Sequence, residues 1–142
     1  MIEITRQEEF SAAHRLFRPD WSDERNEALY GKCANPHYHG HNYVFEVTLR
    51  CPLNPETGMA YNLADLKRLM RREVVEALDH KNLNEDAAGF MKNRVPTAEN
   101  IAISIWECLV EHIDTEILFR VRLYENARNF VDYYGENPDG VR

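Results

Sequence analysis

The sequence has few cysteines: Cys33, Cys51 and Cys108 are the three among 142 residues. An odd and scattered set excludes the disulfide framework of a small secreted domain. Long apolar runs are also lacking, since no stretch approaches the roughly 18 consecutive apolar residues of a membrane-spanning helix. The first ten residues show no basic lead followed by an apolar segment, so they do not resemble a secretory signal. We therefore expect a cytoplasmic protein without a membrane anchor.

Basic residues are in the minority. Lys and Arg number 17 against 24 Asp and Glu, which gives a formal net charge of −7. This balance argues against a nucleic-acid binder or a membrane-surface protein, because both need an excess of positive charge on one face. Glycine and proline, six of each, form no linker-like tract. The chain is predicted to form a single domain over 1–142.

What is present is hydrophobic periodicity of two kinds. Residues 9–16 and 39–49 alternate apolar and polar side chains, as half-buried strands do. Residues 62–80 and 96–113 carry apolar side chains at helical spacing, with Asn62 and Thr97 placed as N-caps. A helical turn at Asp23–Leu29 and two strands between 116 and 135 complete the prediction.

The order ββααββ predicts an α+β fold, in which an antiparallel four-stranded sheet carries two helices on one face. An open sheet of this kind leaves two edge strands unpaired. Such edges favour pairing between subunits, so we expect a homo-oligomer whose sheets join into a barrel.

Three histidines suggest a metal site. His39 and His41 are two residues apart on one strand, so their side chains leave the same face. His14 lies on the apolar side of the preceding strand and can supply a third nitrogen if the strands pair in a suitable register. Three protein ligands with one open position are typical of catalytic zinc. The alternative is that a His-x-His pair is surface polarity or core filling.

Cys33, six residues before His39, has three interpretations. It is a fourth ligand that would close a structural zinc site, a thiolate base beside the metal, or an inert small hydrophobe. His37 shares the parity of His39 but follows Pro36 in a turn, where strand geometry need not hold. We therefore interpret His37 as a bystander.

Two further places carry charge in a suggestive way. Asp79 and His80 put an acid next to a base at the end of a predicted helix, where a histidine also simply complements the helix dipole. Glu125 follows a predicted strand, where its carboxylate can accept paired N–H donors of a heterocycle or merely be solvated.

The chain resembles the 6-pyruvoyl tetrahydropterin synthase family from about Phe10 to Gly135. The resemblance lies in six blocks that occur in the family's order and spacing: FSAAHRL, GKCANPHYHGHNY, TGMAYNLADLK, LDHKNL, PTAEN and LYENARN. It implies the tunnelling fold, in which sheets of three subunits form a barrel and two trimers stack into a homohexamer. It also implies a carbon–oxygen lyase of tetrahydrobiopterin biosynthesis that acts on 7,8-dihydroneopterin triphosphate and yields 6-pyruvoyl tetrahydropterin.

The resemblance also implies roles for individual residues. Position by position, it implies Zn²⁺ ligands at His14, His39 and His41, a base at Cys33, a proton relay at Asp79 and His80, a pterin anchor at Glu125, and pocket-lining residues at Thr97 and Glu99. The triphosphate leaving group calls for a local basic cluster, for which Arg15 and Lys32 beside the site are candidates.

Two rival functions remain open. The related 6-carboxy-5,6,7,8-tetrahydropterin synthases of queuosine biosynthesis share the fold, the zinc site and the substrate. The five residues between Cys33 and His39, and Asn62 in place of the Asp typical of that group, favour the pyruvoyl branch. The other rival is a non-catalytic homologue that only binds zinc and a pterin; Cys33, Asp79 and His80 argue against it, because binding needs neither a base nor a relay.

Overall fold

The computed structural model describes residues 1–136, so the last six residues of the predicted domain lie outside the described residues. In chain order its main elements are β1 (Ile2–His14), α1 (Asp23–Tyr30), β2 (His39–Cys51), α2 (Leu63–Met70), α3 (Glu76–Leu78), β3 (Lys81–Asn82), α4 (Ala98–Leu109), β4 (Leu118–Tyr124) and β5 (Phe130–Tyr133). Short helical segments supplement them: a 3₁₀ turn at Gly31–Ala34 after α1 and a π-helical segment at Arg71–Val75 between α2 and α3.

The sheet has the strand order β3-β1-β2-β4-β5 over the described residues. The α+β class is confirmed, but the predicted antiparallel four-stranded sheet is wrong: a fifth strand, β3, pairs in parallel with β1 at Ala12 and Ala13, which makes the sheet mixed. Two residues are too short for any alternation of apolar side chains. Lys81 and Asn82 pair with β1 through backbone groups, so the pattern of side chains in the sequence could not predict β3.

Strands β1 and β2 form the longest pairing, a 13-residue antiparallel ladder that runs from Ile2↔Cys51 to His14↔His39. β1 begins well before the predicted residue 9. Its first half carries charged side chains on the inward side, where Glu8 accepts hydrogen bonds from Arg6 and Arg71. The polar pairing explains why apolar alternation missed this half.

The helices cover one side of the sheet, as predicted. Asn62 caps α2 through its side chain, which accepts from Ala64 N at 2.9 Å, and Thr97 caps α4 by accepting from Asn100 N. Between the helices and the sheet lies one apolar core, whose fully buried members include Phe10, Tyr43, Phe45, Leu66, Met70, Leu78, Ile101, Ile105 and Leu109.

The sheet therefore has two unlike faces. The covered face, under α2, α3 and α4, carries residues such as Phe10, Tyr43 and Leu123. The open face, on the opposite side, carries the alternate residues of the same strands, such as Ser11, Asn42 and Arg122. Among the helices of residues 1–136, none has the length and apolar character to cross a membrane.

Candidate metal centre and pterin pocket

The three predicted histidines meet on the covered face. The register of β1 and β2 places His14 directly opposite His39 and sets His41 opposite the small side chain of Ala12. The Nε2 atoms of His14 and His39 are 2.9 Å apart, and the ligand atoms of all three rings lie within 4.8 Å of one another. The register that the sequence left open thus unites the cluster.

The cluster fits a divalent metal ion. Burial, with a smaller contribution from the neighbouring imidazoles, lowers the pKa of His14 from 6.5 to about 4. Burial likewise lowers the pKa of His39. Both rings are therefore neutral at pH 7, which is the form that binds metals. His41 Nε2 is buried and has no hydrogen-bond partner, an orphaned ligand atom that a metal would satisfy. Three imidazole ligands suit zinc and leave a coordination position open.

Cys33 lies outside this cluster. The group of described residues able to hold a metal consists of the three histidines and does not include its thiol. Cys33 is half-buried in the 3₁₀ turn Gly31–Ala34, and its carbonyl accepts from Leu16 N at 2.8 Å, which ties the turn to the end of β1. This placement disfavours the fourth-ligand interpretation.

The turn between Cys33 and His39 has a defined conformation. Asn35 Oδ1 accepts from His37 N at 2.9 Å, and Tyr38 adopts a left-handed φ of 66° while its hydroxyl donates to Glu85 at 2.6 Å. His37 itself is exposed and is not part of the metal-capable group.

Glu125 is beside the histidines. Its Oε1 is 3.9 Å from His41 Nε2, because Glu125 directly follows β4 and continues the side on which Val121 and Leu123 are buried. Asn126 starts a tight turn after it by accepting from the backbone N–H of Asn129 at 2.9 Å. Glu125 lines a cavity of about 440 Å³.

That cavity also contains Thr97 and Glu99, so the structure brings together the three residues assigned to the pterin pocket. Sequence reasoning missed its other walls, among them Leu16, Tyr30 and Phe130. Their positions depend on the docking of α1 and β5, for which a local pattern holds no signal.

Arg15 and Lys32 line a different and larger cavity, of about 830 Å³, together with His37. Arg15 Nε donates to the Ala34 carbonyl at 2.8 Å, and its guanidinium lies 3.9 Å from the centre of the Phe17 ring. The two basic residues are thus adjacent to the Cys33 turn, as their sequence positions suggested, but Asp23 and Glu27 of α1 line the same cavity.

Asp79 and His80 lie on the open face, away from the histidine cluster. Asp79 Oδ1 accepts from Ser11 N at 2.8 Å and its Oδ2 is 2.9 Å from His80 Nδ1. These two contacts, the first of them the larger, hold the pKa of Asp79 below its usual value. The cavity that the pair lines, about 370 Å³, also contains Ser11 and Asn42. The pair thus lies with the open-face residues Ser11 and Asn42 and outside the metal-capable group of histidines. His80 and His41 nevertheless both line a further cavity of about 550 Å³.

His80 has two features typical of a functional residue. Its φ is 59°, a left-handed conformation that costs energy for a residue with a Cβ, and its side chain is 84% exposed. Its backbone N–H donates to the Ser11 carbonyl at 2.6 Å, so the strained conformation is held by β1. The imidazole is thereby displayed to solvent with one ring nitrogen on Asp79.

The fold and the site define an α+β protein with a three-histidine cluster able to hold a metal ion, beside a pocket that contains Glu99 and Glu125. The family model of 6-pyruvoyl tetrahydropterin synthase matches residues 3–136. The Homo sapiens protein named 6-pyruvoyl tetrahydrobiopterin synthase is 45% identical over 134 residues, which cover 94% of this chain and 92% of that one. The solved structure of Caenorhabditis elegans 6-pyruvoyl tetrahydropterin synthase is similar with a TM-score of 0.88 at 40% identity, covering 95% and 96% of the two chains.

The chain belongs to the 6-pyruvoyl tetrahydropterin synthase family. This confirms the family predicted from the sequence and the prediction of an enzyme of that family. A Rickettsia bellii protein named 6-carboxy-5,6,7,8-tetrahydropterin synthase is also similar, at 30% identity over 146 residues, with 92% of this chain and 89% of that one covered. The pyruvoyl branch therefore shows the higher identity.

Proposed function

We propose that the protein converts 7,8-dihydroneopterin triphosphate into 6-pyruvoyl tetrahydropterin with elimination of triphosphate. The observation that carries the proposal is the juxtaposition of a three-histidine cluster with Glu125, whose carboxylate lies 3.9 Å from His41. A metal centre and a heterocycle anchor on the same face of the sheet would hold the reacting side chain and the ring of one substrate.

His14, His39 and His41 would hold Zn²⁺, which supplies Lewis-acid polarisation of substrate oxygens when bound. Cys33 is the base that takes a proton from the carbon next to the polarised oxygen. Its place in a turn beside the cluster, rather than in the cluster, supports this role. A thiolate that also ligated the metal would be a weaker base, because the metal draws electron density from the sulfur.

Glu125 anchors the pterin by accepting two N–H donors in parallel, an arrangement suited to the planar amidine edge of the ring. Thr97 Oγ1 already accepts from Asn100 N, which leaves its O–H free to donate into the cavity. Glu99, at the exposed rim of the same cavity, is the remaining polar contact that we assign to the ring.

Arg15 and Lys32 bind the triphosphate in this proposal. Their cavity adjoins the Cys33 turn, and both charges face a leaving group that carries several negative charges. The acidic residues of α1 on the same cavity limit the strength of the site, which suits a product that must leave.

The position of Asp79 and His80 implies that a complete site uses two copies of the chain. Within one copy the pair lies on the open face, while the histidine cluster lies on the covered face. In our proposal a neighbouring subunit presents this relay to the substrate. Over the described residues β3 and β5 lie at the two edges of the sheet, and such edges can join copies into the barrel of a dimer of trimers.

The rival 6-carboxy activity would use the same fold and metal. The structure weakens one of the two sequence clues that separate it: the side chain of Asn62 serves as the N-cap of α2, a task that Asp performs equally well. The spacing between Cys33 and His39 keeps its value, because those residues build the turn beside the cluster.

The decisive experiment is incubation of the zinc-loaded protein with 7,8-dihydroneopterin triphosphate, followed by mass spectrometry of the products. A 6-pyruvoyl pterin with free triphosphate is the expected result. Acetaldehyde with a 6-carboxy pterin would instead establish the rival enzyme, and bound pterin without triphosphate release would establish a binding protein. Cys33→Ala is expected to keep its zinc and to lose at least 100-fold in kcat; loss of zinc would make Cys33 a ligand.

A further inference from the structure

His14 differs from the other two histidines in having a partner that determines its tautomer. Its Nδ1 lies 2.8 Å from the Pro96 carbonyl oxygen, which can only accept a hydrogen bond. The proton of the neutral ring must therefore be on Nδ1, and the Nε2 lone pair points toward His39 Nε2. The Tyr43 hydroxyl, 3.1 Å from Nδ1, can donate or accept and so does not decide the tautomer.

The direction of the Pro96 carbonyl is itself held by a side chain from α4. Asn100 Nδ2 donates to the Val95 carbonyl at 2.9 Å, and the same oxygen accepts from Thr97 N at 2.8 Å. These two bonds fix the peptide on each side of Pro96, whose ring restricts its own φ. Because these hydrogen bonds hold the peptides on both sides of Pro96 against the start of α4, they orient the Pro96 carbonyl toward His14.

We propose that Asn100 is a positioning residue for the metal centre: by clamping the Val95 carbonyl, it aims the Pro96 carbonyl at His14 Nδ1 and keeps His14 Nε2 available for the metal. The inference rests on the metal site proposed above. Asn100 itself contacts none of the three histidines and acts on the centre through the backbone.

The effect is expected to be large enough to measure, because groups that orient a ligating histidine change metal affinity by about 10- to 100-fold. Without an aimed carbonyl, His14 can place its proton on Nε2. That tautomer has no lone pair toward the metal.

The test compares zinc affinity of the wild-type chain with Asn100→Ala and Asn100→Asp, by competition with a chromogenic chelator. Aspartate has the shape of asparagine but cannot donate to the Val95 carbonyl, and at the third position of a helix it is favourable to the helix dipole. Asn100→Asp is therefore expected to bind zinc about 10-fold more weakly at nearly unchanged Tm. Asn100→Ala should also weaken zinc binding, and it should lower the Tm.

Asn62→Ala is the matched control, since it removes the cap of α2 without touching the Pro96 segment. It should lower Tm and leave zinc affinity within twofold of wild type. A second readout is ¹⁵N NMR of the zinc-free protein. The neutral His14 ring should be the Nδ1–H tautomer in the wild type and a mixture of the Nδ1–H and Nε2–H tautomers in Asn100→Asp.

Wild-type zinc binding together with unchanged affinity and unchanged His14 tautomer in both Asn100 variants would overturn the role of Asn100 and leave the metal site intact. A wild-type chain that takes up no zinc would overturn the metal site itself, and with it this inference.

Discussion

The two faces of the β1–β2 ladder carry functional histidines in opposite environments. On the covered face, His14 is fully buried, and its neighbours are His39, Tyr43 and the Pro96 carbonyl of the same chain. On the open face, His80 is displayed to solvent and has Asp79 as its side-chain partner. The three metal-capable rings thus come together within one chain, whereas in our proposal the Asp79–His80 pair acts on a neighbouring copy.

In our proposal one sheet serves two half-sites. Side chains alternate between faces along a strand, so Ser11, which anchors Asp79, and His14, a proposed metal ligand, come from the same strand but face apart. Each copy would then contribute its histidine cluster to one active site and its Asp79–His80 pair to the active site of a neighbouring copy. Four predictions test this contrast.

The largest effect is expected on the covered face. His41→Ala leaves two ligands, so the protein should lose its zinc and at least 1,000-fold in kcat/KM. Metal content by atomic absorption and initial rates are the measurements. His37→Ala, which removes an exposed histidine outside the cluster, should retain zinc at the wild-type level; loss of zinc there would place His37 in the centre.

The open face is tested by mixing subunits. His80→Ala should lower kcat at least 100-fold while zinc stays bound, because a relay residue contacts substrate rather than metal. When Cys33→Ala and His80→Ala chains are unfolded, mixed equally and reassembled, about one quarter of the sites should combine the intact halves and regain activity. Activity no higher than that of the separate variants would show that both residues act within one copy.

Adjacent residues of β4 compare the faces in stability. Leu123 is fully buried on the covered face. Its truncation to alanine should lower the free energy of unfolding by about 3 kcal/mol. Arg122 lies on the open face, where its guanidinium donates to both carboxylate oxygens of Asp132 at 2.7 and 2.8 Å. Because that ion pair is partly solvated, Arg122→Ala should cost about 1 kcal/mol. Urea denaturation measures both, and equal costs would contradict the contrast.

The last prediction concerns pH, where the loss should be smaller than that of Leu123→Ala. The His14 pKa falls from 6.5 to about 4 on folding, so between these values the unfolded chain binds a proton that the folded chain does not. Stability of the zinc-free protein should therefore be lost as pH drops through this window, by about 2 kcal/mol. Urea midpoints at pH 7 and pH 4.5 give the slope. His14→Gln should flatten it; an unchanged slope would assign the dependence to other groups.

Much of the fold followed from periodicity. Alternation located the core halves of β1 and β2, helical spacing located the two covering helices, and Asn62 and Thr97 were recognisable as caps. The first half of β1 and the whole of β3 were missed. Charged pairs such as Arg6 and Glu8 occupy the inward positions of the first half of β1, and β3 exists through backbone pairing with Ala12 and Ala13.

The candidate site was likewise predictable only in part from the sequence. Residue types and spacing were enough to single out the three histidines, and the family motifs were enough to single out Cys33, Asp79, His80 and Glu125. No spacing indicates that Asn100 holds the carbonyl that orients His14, because that connection passes through hydrogen bonds between segments more than 80 residues apart in the chain.

By itself the sequence determined the periodicity of the strands and helices, the family, and the donor set of His14, His39 and His41, since these depend on residue identity and short-range spacing. Tertiary structure alone decided that His14 faces His39, that Cys33 lies outside the metal cluster, and that Asp79 and His80 lie on the open face. Strand register and facing are set by the packing of the whole core and by backbone pairing between distant segments, and neither is encoded in any local stretch of residues.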